Sequence, residues 1–208
     1  MLFRSDYAVS AVTNAPLAFG NVRKGATVAN QTLTFGNTTV TDANYQDALL
    51  VATTANNGKL TATGATIAAG TTGNLTVAIS TATAGSLADT LAVSQTSKAA
   101  ASGLLDKDLG TLNVAVTGAV YDYAKVAVTN APLAFGNVRT DATVANRTLT
   151  FGNTTITDAN YQDALLVATT ANNGKLTATG ATIAAGTTGD LTVAISTATA
   201  GSLADTLA

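Results

Sequence analysis

"NLTVAIST", Asn74–Thr81, alternates strictly: Leu75, Val77 and Ile79 fall on one side of an extended chain, Thr76, Ala78 and Ser80 on the other. "TLNVAVTG" (Thr111–Gly118) repeats the pattern with Leu112, Val114 and Val116. "NQTLTF" (Asn30–Phe35) sets Gln31, Leu33 and Phe35 against Thr32 and Thr34. A period of two with Thr on the outer side predicts half-buried antiparallel strands. Turn signals separate these runs: "FGN" at Phe19–Asn21 and Phe35–Asn37, "AAGTTGN", "TAGS" and "ANNGK" at Ala55–Lys59. Asn-Gly tolerates the positive φ of a tight primed turn, so "ALLVATT" and "KLTATG" are expected to form a hairpin across it.

Composition points the same way. Hydrophobic residues make up 47% of the 208-residue chain but aromatics only 5%, so the core is built from Ala, Val and Leu. All 12 acids are Asp. Without Glu, long amphipathic helices lack their usual exposed charge pairs. Net charge is −2 with no Lys/Arg cluster, which leaves no basis for binding a nucleic acid by counterion release. With neither His nor Cys, zinc sites, thiol chemistry and His-based acid–base pairs are excluded within this chain. No run approaches the ~18 apolar residues that span a bilayer, so no membrane insertion is expected. The opening "MLFRSDYAVSAV" does not read as a signal peptide.

The chain repeats itself. "NAPLAFGNVR" stands at Asn14–Arg23 and again at Asn130–Arg139, an offset of 130 − 14 = 116, and the two copies hold both prolines, Pro16 and Pro132. Aligned at that offset, 6–92 and 122–208 differ at seven positions: Val9/Lys125, Ser10/Val126, Lys24/Thr140, Gly25/Asp141, Gln31/Arg147, Val40/Ile156 and Asn74/Asp190. A period of 116 is a domain rather than a solenoid unit. Within the first copy, about seven short strands with turns every 8–12 residues predict an immunoglobulin-like β-sandwich. The expected fold class is all-β: tandem sandwiches over 1–121 and 122–208, the second lacking its closing strands within this chain. The closing segment "VSQTSKAAASGLLDKDLGTLNVAVTGAV" has no second copy in the 208 residues, so the sequence reads as a slice of a longer array or as units completed by a neighbour. "NAP" reads as an edge strand, where proline's missing N–H costs no ladder bond, with Leu17 and Phe19 inward and Gly20-Asn21 turning the chain. "TDANYQDALLVAT" reads as a loop, a short turn capped by Thr41 or Asp42, then a strand.

Three segments, "PLAFGNVRKGATVANQTLTFGNT" (16–38), "ATIAAGTTGNLTVAISTATAGSLADTLAVSQTS" (65–97) and "SGLLDKDLGTLNVAVTGAVYDYA" (102–124), resemble the repeat of bacterial choice-of-anchor D surface proteins. The resemblance implies an exported or cell-surface tandem-repeat protein of Ig-like sandwiches, with no shared catalytic residues.

Each chemical reading has a plainer rival. Asp42 and Asp47, repeated as Asp158 and Asp163, could hold Ca²⁺, but without a D-x-D-x-D-G loop they are read as caps and solvated turn residues. Asp106 and Asp108 around Lys107 are read as a solvated turn rather than a carboxylate pair. Lys59 and Lys175 could form intramolecular isopeptide bonds only with a buried, placed acid, and no such placement is legible. Sequons occur at Asn30, Asn37, Asn74, Asn146 and Asn153, the counterpart of Asn74 being Asp190. Tyr121 and Tyr123 are read as packing where the copies meet, with carbohydrate stacking as the rival.

No catalytic, cofactor or metal residue is therefore assigned, and an enzyme is not expected. The expected role is a structural module of an extracellular or cell-surface fibre, filament or stalk. Its partner would be itself, through head-to-tail or strand-exchange contacts, with "MLFRSDYAVSAV" as one donor. The rival role is an adhesin or carbohydrate-binding module contacting surface glycans.

Overall fold

The computed structural model describes residues 5–55, 58–99, 103–171, 174–203 and 205. The chain is built of β-strands in several sheets, and among the described residues it forms no α-helix. It divides into two compact units, Met1–Val120 and Tyr121–Ala208, one residue ahead of the boundary read from the sequence.

In the first unit, β1 (Ser10–Thr13), β3 (Gln31–Asn37), β7 (Thr72–Ile79) and β5 (Leu60–Ala62) form one antiparallel sheet, in that order. The second sheet runs β2 (Leu17–Arg23), β10 (Lys107–Tyr121), β9 (Asp89–Lys98), β4 (Ala48–Ala55), β6 (Ala65–Ile67), with β8 (Gly85–Ser86) on β10. One core joins them: Leu33, Phe35, Leu75 and Val77 from the first sheet meet Leu17, Leu49, Val51, Leu91, Val93, Val114 and Val116 from the second. The alternation of "NLTVAIST", "TLNVAVTG" and "NQTLTF" is thus realised, with Leu112, Ile79 and Gln31 half-buried at the margins. Sealing one such Leu or Val contributes about 1.5–3 kcal/mol.

Three local expectations are corrected. The "ALLVATT"/"KLTATG" hairpin does not form: β4 pairs β9 on one edge and β6 on the other, so β5 crosses to the opposite sheet and pairs β7. Asn56 and Asn57 of that connection lie outside the described residues. Asn14–Pro16 is not an edge strand but the crossing from β1 to β2, and so from one sheet to the other, with Asn14 at φ 66 and a cis Ala15–Pro16 bond. "FGN" does not turn the chain, because Gly20 and Gly36 lie inside β2 and β3. Gly20, at φ 69, lies where β10 comes close: a Cβ built on Gly118 would sit 2.6 Å from the Gly20 carbonyl oxygen.

The second unit repeats part of this. β11 (Val126–Thr129), β12 (Arg147–Asn153), β16 (Thr188–Ile195) and β14 (Leu176–Ala178) reproduce the first sheet with the same register, Thr148 facing Thr192 as Thr32 faces Thr76. Its other sheet has two strands, β13 (Leu165–Val167) and β15 (Ala181–Ile183). The buried cluster shrinks to Val167, Ile183 and Leu191, with Leu149, Phe151 and Leu165 only half-buried against it. Their counterparts Leu33, Phe35 and Leu49 are 0% exposed.

The decisive contrast is between identical letters. Leu17–Arg23 is a strand, whereas Leu133–Arg139 forms none. β2 sits at the end of its sheet with β10 as its neighbour, and the described residues of the second unit include no counterpart of β10. A strand's N–H and C=O groups need a partner, so the sequence takes up strand form only where that partner exists. Amides of Leu17–Arg23 should therefore exchange with solvent deuterium roughly 100-fold or more slowly than those of Leu133–Arg139. Mass spectrometry of peptic fragments reaching Lys24-Gly25 or Thr140-Asp141 separates the two copies, and equal rates would refute the dependence on β10.

Candidate functional site

The polar residues drawn together in each unit form an internal clasp. Asn37, last residue of β3, is 0% exposed, and its amide uses every bonding position. Its Oδ1 accepts from Val9 N at 3.1 Å and Gln46 Nε2 at 3.2 Å; its Nδ2 donates to Asp47 O at 2.9 Å and Ile67 O at 3.2 Å. Gln46 extends the set by donating to Thr38 O at 2.8 Å and accepting from Val40 N at 3.1 Å. One side chain thus ties the first strand's lead-in, the loop after β3, the start of β4 and the end of β6. The short turn Ala43–Tyr45 delivers Gln46, and Asp42 caps it by accepting from Asn44 N at 2.9 Å. That fulfils the cap reading of Asp42.

Asp47 departs from the solvated-turn reading. It is 7% exposed, and its carboxylate accepts from Ser97 Oγ at 2.8 Å and Ser5 Oγ at 3.1 Å. Ser97 in turn accepts from Ala8 N at 2.9 Å. The carboxylate closes a chain of bonds between β4, β9 and the residues leading into β1, a tertiary placement that local sequence does not carry. The second unit rebuilds the amide part: Asn153 Nδ2 donates to Asp163 O at 2.8 Å and Ile183 O at 3.2 Å, and Gln162 Nε2 donates to Asn153 Oδ1 at 3.0 Å. Asp158 caps the Ala159–Tyr161 turn as Asp42 does, while Asp163 is only half-buried. Among the described residues, no three Asp side chains converge as a metal site would require.

The remaining candidates resolve individually. Asn37 and Asn153 are sealed in the clasp, so their sequons are structural. Asn30, Asn74 and Asn146 are exposed. Asn74 Oδ1 accepts from Thr34 Oγ1 at 2.8 Å, and Asp190 keeps that acceptor for Thr150 at 2.6 Å, which explains why Asp serves in its place. Lys59 Nζ donates to Ser86 O and Lys175 Nζ to Ser202 O, each at 2.9 Å, so both act as hydrogen-bond donors to backbone. Asp106 pairs with Lys98 and accepts from Ala99 N at 3.1 Å; Asp108 accepts from Gly110 N at 2.8 Å, where β10 is bulged against β9. Tyr121 meets Tyr161 edge-on at 5.8 Å, and Tyr123 is exposed.

The second unit also carries an open cleft of about 390 Å³ between residues 136–140 and 196–203. The matching walls of the first unit are closed on β10: Ser86 pairs with Ala119, Gly85 with Val120, and Leu87 N donates to Gly118 O at 2.9 Å. Ala84, Gly85 and Leu87 are buried there, whereas Ala200 and Gly201 are exposed and Leu203 is half-exposed. No motif in the sequence signals this cleft, because it shows only as a difference between two copies of the same letters.

No family model matches the chain, and no curated protein matches it. Two solved structures similar to it are both chaperones. The YadV chaperone has a TM-score of 0.37 and 12% identity over 88% of this chain and 84% of that one. The E. coli chaperone DraB has a TM-score of 0.36 and 9% identity over 88% and 86%. Similarity at this level carries no argument about activity or partner.

Replacing Asn37 with Ala strands Val9 N, Asp47 O and Ile67 O in the interior. At ~1–3 kcal/mol per buried unsatisfied group, partly relieved by water, the first unit should lose about 3 kcal/mol or more, read by urea unfolding. A cost under about 1 kcal/mol would show that the clasp is dispensable. The Lys98 ammonium and the Ala99 N–H hold the Asp106 carboxyl below its ordinary value. The associated stability is present above the unfolded carboxyl's pKa and fades as pH falls through the folded one. Lys98→Met should raise the Asp106 titration midpoint measured by NMR, and an unmoved midpoint would contradict the pairing.

Proposed function

We propose that the chain is a structural, non-enzymatic module: tandem immunoglobulin-like β-sandwich units of an extracellular or cell-surface fibre, filament or stalk. The observation that carries this reading is the duplicated clasp. Asn37 with Gln46, and Asn153 with Gln162, bond the same backbone positions in both copies, at lengths agreeing within a few tenths of an ångström. What the duplication preserves is therefore the means of holding a domain together.

The seven differences support the same reading. Each falls at an exposed or half-buried position and spares the core. Val9/Lys125 bonds the clasp through its backbone N–H in both copies, so the side chain is free to vary. Gly25/Asp141 lies at positive φ, 74 and 60, a conformation that Asp visits more readily than most residues. Selection that fixes interiors and leaves surfaces neutral suits a mechanical repeat. Sandwich units also resist extension through their cross-strand ladders, and the resemblance to surface-protein repeats fits an exported array.

Stretching a tandem array of the 116-residue repeat, residues 6–121, in a force microscope tests this. Each unit should unfold as one event, lengthening the chain by about 400 Å at ~3.3–3.6 Å per residue. Equal, discrete steps are expected; a featureless extension without steps would count against a mechanical role.

A further inference from the structure

We propose that Asn30 and Asn146 are the N-glycosylation sites of this chain, each carrying a saccharide on its side-chain nitrogen, and that the other three sequons carry none. The modification goes beyond the mechanical reading and does not depend on it.

The Asn-x-Thr pattern occurs five times, at Asn30, Asn37, Asn74, Asn146 and Asn153. The fold sorts these by what each amide is already doing. Asn37 and Asn153 are 0% exposed, and their Nδ2 atoms donate to the carbonyls of Asp47 and Ile67 and of Asp163 and Ile183. A sugar on either nitrogen would replace a proton that the clasp uses and would need room that a packed interior lacks. Asn74 is exposed but lies inside β7 opposite Thr34, whose hydroxyl donates to its Oδ1 at 2.8 Å. Its counterpart Asp190 keeps the acceptor and has no nitrogen to modify, so this position serves as an acceptor alone.

Asn30 and Asn146 differ from these on every count. Both are exposed, and among the described residues neither side chain makes a hydrogen bond. Each ends a stretch without strand or helix, 26–30 or 142–146, one residue before β3 or β12 begins. A transferase can reach the amide there without opening a ladder, as befits a surface connection. Thr32 and Thr148, two positions on, are exposed as well. The middle residue changes from Gln31 to Arg147 between the copies, and the pattern accepts any residue there except proline. The site therefore recurs at the same place in each unit.

The step takes a co-substrate of stated chemistry: a sugar joined at its anomeric carbon to a pyrophosphate, itself carried on a nucleoside or a lipid. Nδ2 bonds to the anomeric carbon as the bond from that carbon to the pyrophosphate oxygen breaks. The pyrophosphate leaves with the bonding pair, and one of the two amide protons passes to a base of the transferase. Nothing is oxidised or reduced.

Tandem mass spectrometry of peptides from the chain, isolated from the cells that make it, tests this. Sugar is expected at Asn30 and Asn146, whose peptides are told apart by Gln31 and Arg147, and none at Asn37, Asn74 or Asn153. A single sugar at both sites supports the proposal with a nucleoside carrier, and a preassembled oligosaccharide supports it with a lipid carrier. Thr32→Val with Thr148→Val keeps a β-branched residue in each strand, so the melting temperature should hold while the modification disappears. Serine at the same two positions should restore it. Unmodified Asn30 and Asn146, a sugar on Asn37 or Asn153, equal occupancy at Asn74, or full occupancy in the valine variant would each overturn the proposal. Discrete force steps of the repeat array are expected with or without sugar, so the two proposals fail separately.

Discussion

The fold depends on closing one sheet over the other. β9 and β10 stand in the middle of the larger sheet, with β2 on one side and β4 on the other, and they bring Leu91, Val93, Val114 and Val116 onto the core. Where they are present, Leu33, Phe35 and Leu49 are sealed from water. In the second unit, whose described residues show neither strand, the matching side chains Leu149, Phe151 and Leu165 are half-buried and Leu133–Arg139, the same letters as Leu17–Arg23, forms no strand. Strand formation in Leu17–Arg23 is thus a tertiary property, because ladder bonds and burial come from a partner more than 80 residues away in sequence.

The smaller sheet behaves differently. β11, β12, β14 and β16 keep the pairings of β1, β3, β5 and β7, all supplied by residues within about 70 positions of one another. The clasp is equally local, since Asn37, Gln46 and Ile67 span only 30 residues. That is why it is rebuilt around Asn153, from residues of the second unit alone. A buried amide with all four positions bonded costs little to keep and much to break, which makes it a fixed corner from which both sheets start.

Much of this was legible in the sequence, and the boundary is physical. Alternation placed Leu75, Val77, Leu33, Phe35, Val114 and Val116 correctly, because a period of two is a statement about one strand and one face. The Asp42 cap was legible for the same reason: its partner, Asn44 N, is two residues away. What local pattern cannot carry is the choice of neighbour. "NNGK" has the chemistry of a hairpin turn, yet both edges of β4 are taken by strands that come later, so the chain crosses the core instead. Asp47 likewise looks like a turn residue until β9 brings Ser97 against it, 50 positions on. Asn37 matched a glycosylation sequon, and nothing in "NTT" itself reveals that four backbone and side-chain groups converge on its amide.

The repeat itself supplies the control that a single sequence usually lacks. Identical residues in two settings separate what the letters specify from what their neighbours specify: register in the smaller sheet, both capped turns and the amide clasp survive the change of setting. Burial of Leu17, the strand at Leu17–Arg23 and the closed wall at Ala84–Leu87 do not. The features that persist hold each unit together, and those that vary all line the place where β9 and β10 belong. In the first unit the closing strand is held to one shape by its contacts: a Cβ on Gly118 would meet the Gly20 carbonyl oxygen at 2.6 Å, and Val116 and Val120 on either side of it are buried.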